Sequence, residues 1–224
     1  MLKPKKHITQ KEIQKDPLLE TIDNLQSKVE KNKQLYTKVV AGVLLVLALT
    51  TFLVRNNRVN NAAADTALGI ALISIDKGDY STASFQLENI INDFESTSSA
   101  DLANYYLGKS KFDNNELELA QKYIESYLGS KSRNILHTAA SELLADIYIN
   151  QSDIDSAIEV INNSLKVCVV PFNCRSLKLK KAIFLIEKGD TETANEILTE
   201  ILEQNDLSQG QKQIAEELMG KLMG

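Results

Sequence analysis

The side chains that most often perform chemistry are scarce in this sequence, and their spacing does not favour catalysis. His7 and His137 are the two histidines of the 224-residue chain, and His7 lies far from the main body in sequence. A Ser-His-Asp arrangement around His137 has its ingredients but lacks the Gly-x-Ser-x-Gly context that would aim a nucleophile. Gly129-Ser130-Lys131-Ser132 has the ending of a phosphate loop without the Gly-x-x-x-x-Gly-Lys-Ser frame that cradles phosphates. Carboxylate pairs abound, but on helix starts and solvated faces they are ordinary background. The expectation is a non-enzyme with no metal and no cofactor.

Cys168 and Cys174 flank Pro171 in "KVCVVPFNCRS" and are the only cysteines. Their spacing is wrong for a redox Cys-x-x-Cys motif, and two ligands do not make a zinc site. Two readings remain, a disulfide stapling one linker or two buried free thiols. An oxidising compartment favours the disulfide, so the choice depends on which side of a membrane the segment occupies.

The membrane question is answered by the charge pattern. Residues 1–38 carry nine Lys against five acids, whereas residues 59–224 carry fourteen Lys and Arg against twenty-five acids. So acidic a body, without basic stripes, speaks against nucleic acid as a partner, since phosphate needs Lys and Arg to neutralise it. Between the halves, Val39 to Val54 is sixteen residues without a charge, "VVAGVLLVLALTTFLV". At about 1.5 Å per residue it reaches roughly 24 Å, a little short of a bilayer core of about 30 Å. Tyr36, Lys38 and Arg55 can supply the missing length by snorkelling. A buried core helix is one rival reading, against which the segment has no amphipathic face; a cleaved signal peptide is the sharper one, and a 38-residue acid-containing lead and the distance to the small residues Ala62–Ala64 speak against it. The Lys bias places the N-terminus in the cytoplasm and the acidic part outside.

Residues 1–38 are therefore read as a basic cytoplasmic tail, 39–54 as a single transmembrane helix and 55–61 as a linker. Within the tail, Asp16-Pro17 resembles a helix start. Leu18, Ile22, Leu25, Val29, Asn32 and Tyr36 then alternate in steps of four and three, the spacing of a short coiled coil over 17–36. A solvated amphipathic helix is the simpler reading of that seam, and a homodimer contact the other.

The body repeats itself. "IDKGDYSTA" at 75–83 returns as "IEKGDTETA" at 186–194, 111 residues later, and 111 is three steps of 37. Ala83, Ala120, Ala157 and Ala194 keep that step, as do Ala71, Gly108, Ala145 and Ala182. The turn dipeptides Gly78-Asp79, Asn115-Glu116, Ser152-Asp153 and Gly189-Asp190 keep it too. Three registers sharing one period mark an internal repeat. The small residues let two antiparallel helices touch. The Gly or Asn of the turn tolerates a left-handed backbone, and the acid after it stands where the next helix begins.

"YYLGKSKF" (105–112) and "LLADIYI" (143–149) resemble the first helix of a tetratricopeptide repeat, with Leu107-Gly108, Leu144-Ala145 and Tyr148 carrying the signature and Ala120 and Ala157 the small residue of the second helix. The resemblance implies an all-α protein: one transmembrane helix, then an α-solenoid of about four such repeats over 62–204, then a capping helix over 205–224. Ile214, Leu218 and Leu222 are expected to face the last repeat. It also implies a concave, peptide-binding face lined by the first helices, where register places Leu68, Leu72, Tyr105, Lys109, Phe112, Asp146, Ile149 and Ile183. The basic clamp of some family members does not map, because Leu68 and Leu72 occupy its first positions.

The layout of tail, span and outer repeat domain resembles the YfgM-like ancillary subunits of the bacterial SecYEG translocon. That resemblance implies an inner-membrane protein with a periplasmic domain, binding translocon subunits, periplasmic chaperones and emerging chains. The alternative is a self-associating scaffold for envelope or division machinery. An outer-membrane assembly lipoprotein is disfavoured, since no Cys stands directly after the apolar segment to take a lipid.

Overall fold

The computed structural model describes residues 30–131 and 136–223, with Thr21, Ile22 and Gln26. Among these, every regular element is a helix: α1 Lys33–Asp76, α2 Tyr80–Asp93, α3 Ser98–Asp113, α4 Leu117–Gly129, α5 His137–Asn150, α6 Ile154–Val167, α7 Pro171–Lys188, α8 Thr191–Leu202 and α9 Gln209–Met223. The chain divides into two compact units, residues 1–58 and 59–224.

In the first unit α1 exposes its apolar side chains throughout, Leu45, Leu49 and Phe52 among them. It is long and apolar enough to cross a membrane. Among the described residues of the unit nothing covers it, and a helix apolar all round calls for apolar surroundings. Of the tail seam, Ile22, Asn32 and Tyr36 are exposed, while Leu18, Leu25 and Val29 lie outside the described residues.

The second unit is an α-solenoid of helix pairs. The end of α1 pairs with α2, α3 with α4, α5 with α6 and α7 with α8, and α9 follows. All four turns within pairs use one device. Gly78, Asn115, Ser152 and Gly189 have φ of +77°, +60°, +64° and +89°. At each, that residue's N–H donates to the carbonyl three residues back, and the next N–H donates to the carbonyl five back, as Ser152 does to Ile149 and Asp153 to Tyr148. These two bonds satisfy carbonyls that the ending helix leaves orphaned. The acid that follows then caps the second helix: Asp79, Asp153 and Asp190 accept from the N–H groups of Thr82, Ser156 and Thr193. Glu116 differs. Its longer side chain makes no cap bond and instead takes an ion pair from Lys111 at 3.1 Å.

The small-residue columns lie where helices touch. Ala71, Ala120, Ala145, Ala157, Ala182 and Ala194 are fully buried, and Ala83 is 2% exposed. Gly108 shows why bulk is excluded: a Cβ there would come within 2.8 Å of Ile124 Cγ1 and Cδ1. First helices end on the period at Asp76, Asp113 and Asn150 and one residue past it at Lys188, but start at irregular points. Variation between copies therefore falls in the linkers and the openings of first helices, while the second helices stay at 12 to 14 residues.

Two pins hold the last pair. Cys168, which closes α6, and Cys174, in the first turn of α7, are joined by a disulfide with Cα atoms 5.7 Å apart. Beside it, the Arg175 guanidinium is buried and donates to Gln211, Gln204 and Asp206, the last within 3.1 Å. Gln211 in turn donates to the Phe172 carbonyl at 2.9 Å, so α9 is latched to the start of α7. The inward stripe of α9 is Gln211, Ala215, Leu218 and Leu222. Ile214 is 45% exposed, against the expectation that it faces the last repeat. It lies about 100° around the helix from Ala215 and so misses the stripe.

Candidate functional site: the face of the first helices

First helices of adjacent units touch, α3 with α5 and α5 with α7, and they carry the eight residues singled out by register. Packing takes most of these. Leu68 is buried in the first core cluster with Leu72 packed against it. Phe112 lies on the cluster of α4 and α5. Ile149 packs on the cluster of α6 and α7, and Ile183 bridges that cluster and the last one. Tyr105 is half-buried, its ring centroid 5.3 Å from Tyr106 and 5.7 Å from Tyr127. Lys109 is exposed and pairs with Asp113 at 3.3 Å, one turn on. Asp146 receives an ion pair from Lys180 at 2.6 Å, which ties α5 to α7.

The polar centre of this face includes two residues that sequence reasoning missed, Glu142 and Lys180. Glu142 lies one turn before Asp146 on α5 and is half-buried. Burial pushes its carboxyl above the usual carboxylate range; Lys180 pulls it down and Asp146 pushes it up. Lys180, besides its bond to Asp146, stands 5.8 Å from the centre of the Phe184 ring. The signal for Glu142 was present in the repeat. Its column reads Leu68, Tyr105, Glu142, Leu179 at steps of 37, one acid in an otherwise apolar column. Tyr105 feels the same surroundings, its phenol pushed up by burial first and by neighbouring Tyr106, Tyr127, Glu142 and Asp113 after it.

Chemically this face combines several kinds of group. It offers a partly buried carboxylate, an ammonium engaged by a second carboxylate, and a tyrosine edge. A ligand ammonium or guanidinium placed against Glu142 would add to the attraction of Lys180 and favour the ionised carboxylate. Among the described residues no group of three or more His, Cys, Asp and Glu side chains is placed to hold a metal.

A second polar cluster joins α4 to α5. The Tyr148 hydroxyl donates to Glu125 at 3.1 Å and accepts from Gln121 at 3.2 Å, and Gln151 donates to Gln121 at 3.1 Å. All of these partners lie at the junction of two repeats, so the cluster reads as mortar between units.

Comparison with known proteins agrees with the geometry. Solved structures share the fold: a crystal structure of MamA at 18% identity and TM-score 0.51, covering 70% of this chain and 79% of that one; MamA residues 41 to the end from Desulfovibrio magneticus RS-1 at 17% and 0.52, covering 62% and 74%; and a Podosopora anserina putative kinesin light chain with nearly identical TPR-like repeats at 14% and 0.51, covering 70% and 75%. No curated relative matches the sequence. The tetratricopeptide repeat-like domain matches residues 29–167, which take in the apolar segment and the first three helix pairs. With more than half of its length matched, the chain belongs to the tetratricopeptide repeat-like family.

Proposed function

We propose that this protein is a membrane-anchored, non-catalytic adaptor of the bacterial envelope, whose repeat domain holds segments of other proteins. The fold is one of protein–protein interaction, and the observation that carries the anchored reading is the exposed apolar run of α1, which precedes the solenoid in sequence. The Lys-rich tail supports a cytoplasmic N-terminus. The Cys168–Cys174 bond supports an outer, oxidising location for the repeats. The resemblance to YfgM-like subunits then gives the finer reading: a periplasmic domain beside the Sec translocon that passes emerging chains to periplasmic chaperones. Bound segments would lie on the first-helix face, around Tyr105, Glu142 and Lys180.

Two measurements test this. Alkaline extraction of cell membranes should leave the protein in the pellet, and release into the soluble fraction would remove the anchor. A photo-crosslinking residue at the exposed Lys109 should capture translocon subunits or nascent chains in living cells. Capture of the protein's own copies alone would favour the scaffold reading instead.

A further inference from the structure

The two ends of the repeat array are finished differently. At the C-terminal end, α9 lays Ala215 and Leu218 over Leu198 and Ile201 of α8. At the other end, the outer face of α1 within residues 59–76 is bare among the described residues. The 37-residue register says what that face is built for. Ala103 and Leu107 of α3 pack on Leu87 and Ile90 of α2. Ala140, Leu144 and Ile147 of α5 pack on Ile124 and Tyr127 of α4. Leu177 and Phe184 of α7 pack on Ile161 of α6. In the first pair these columns are Thr66, Ile70 and Ile73. Ile70 is 51% exposed and Ile73 55%, against 0% for Leu107 and Ile147 and 3% for Phe184. Among the described residues nothing covers this helix-docking face of the first pair, and solenoid ends need cover.

We propose that a second copy of this chain covers it, in a symmetric pair of α1 helices seamed along Val59, Ala63, Thr66, Ile70 and Ile73. These five positions are exposed, uncharged and spaced four, three, four and three apart, the repeat of a two-helix seam. Ala63 and Thr66 at its middle are small enough for backbones to come close. The same spacing continues backwards in sequence through Asn56, Phe52, Leu49 and Leu45, so an identical chain offers a matching partner along its length. Head-to-tail stacking of copies is closed, because α9 already occupies the complementary end; an isologous contact of like faces is what remains. The parallel orientation rests on the anchoring reading above. Two chains that enter one membrane the same way bring each seam residue to its own counterpart, and shared anchorage raises their effective concentration.

The test uses the full-length protein in native membranes, with single Cys substitutions and a short bis-maleimide added without reductant; the bonded native cysteines do not react. Ala63→Cys, Thr66→Cys and Ile70→Cys should each give a product of doubled mass, at least several-fold above Asn61→Cys, which lies off the seam. Ile70→Asp with Ile73→Asp should abolish the Ala63→Cys product. Both side chains are exposed, so helicity by circular dichroism and Tm should hold. Equal yields at seam and off-seam positions, no doubled product at any position, or adducts to a protein of another mass would each overturn the pairing. Alkaline extraction keeps the two readings apart. Protein retained in the pellet without seam products sinks the pairing, whereas seam products from extracted protein sink the anchor and uphold the pairing.

Discussion

Ser152 and Asn115 occupy the left-handed backbone region that Gly78 and Gly189 occupy in the equivalent turns. For a residue with a Cβ that conformation costs roughly 1–2 kcal/mol, less for Asn, whose side chain bonds locally. Ser152→Gly should therefore raise stability by about 1 kcal/mol, less the greater freedom of glycine in the unfolded chain, and Asn115→Gly should raise it by less. Urea denaturation of the two variants gives that order, and a loss at Ser152 would mean that its side chain contributes something the turn does not explain. Glu142 makes the residue-scale pH prediction. Its folded pKa is raised above the ordinary 4.5, chiefly by burial. Below 4.5 both folded and unfolded forms are protonated and burial of the carboxyl costs nothing in charge. As pH rises through 4.5 and on through the folded value, the unfolded chain ionises first, and stability is lost across that window. Glu142→Gln should thus gain on the parent as pH rises through the window and hold a constant difference above it, as read by Tm against pH. The caps act oppositely. Asp79 and Asp153 have carboxyls held below the ordinary 3.8, first by the side-chain bonds of Thr82 and Ser156. Their contribution is present above 3.8 and fades as pH falls through the lower folded values.

Among the elements, α9 depends on a latch that no pattern announced. Arg175 is 6% exposed and holds Gln211, Gln204 and Asp206 at once. Cutting a fully buried ion pair costs about 3–5 kcal/mol, but the Asp206 side chain is 70% exposed and can rehydrate. Arg175→Ala should therefore cost less, about 1–3 kcal/mol, mainly from buried amide groups left unsatisfied. Hydrogen exchange should place the loss in α9 and the first turn of α7, with α3 to α5 unchanged; uniform deprotection would refute a local latch. The helix pairs themselves were legible, because the turn columns and Ala columns each express one local requirement repeated at one spacing. The latch was not legible, since Arg175 reaches partners about thirty residues away whose side chains follow no period. Glu142 falls between the two cases. It is visible as the odd member of an apolar column, but only once the column is known to face neighbouring first helices. Ile214 is ambiguous for a simpler reason: in a helix with apolar residues at 214, 215, 218 and 222, the stripe can be drawn from either of the first two.

On the scale of the whole molecule, a solenoid is a stack in which each unit is covered by the next, so its behaviour follows from how its ends are closed. Here one end is covered by α9 and the other presents Ile70 and Ile73. Removing α9, by ending the chain after Leu207, would uncover Leu198 and Ile201, which are fully buried in the intact protein. Those side chains stand in the same columns as Leu87 and Ile90, which dock onto Ala103 and Leu107. The new end would therefore complement the α1 face and compete for it with the paired copy, so the molecule would carry both halves of one heterologous contact. Such contacts extend without limit unless a rotation closes them. The intact protein in detergent should give one discrete mass by light scattering over a wide concentration range above its pairing midpoint. The truncated chain should give masses that grow with concentration, and Ile70→Asp should return it to small species by spoiling one half of the contact. Growth that persists in the Ile70→Asp truncation would mean that the exposed α8 surface associates with itself, and that the open face of α1 is not its complement.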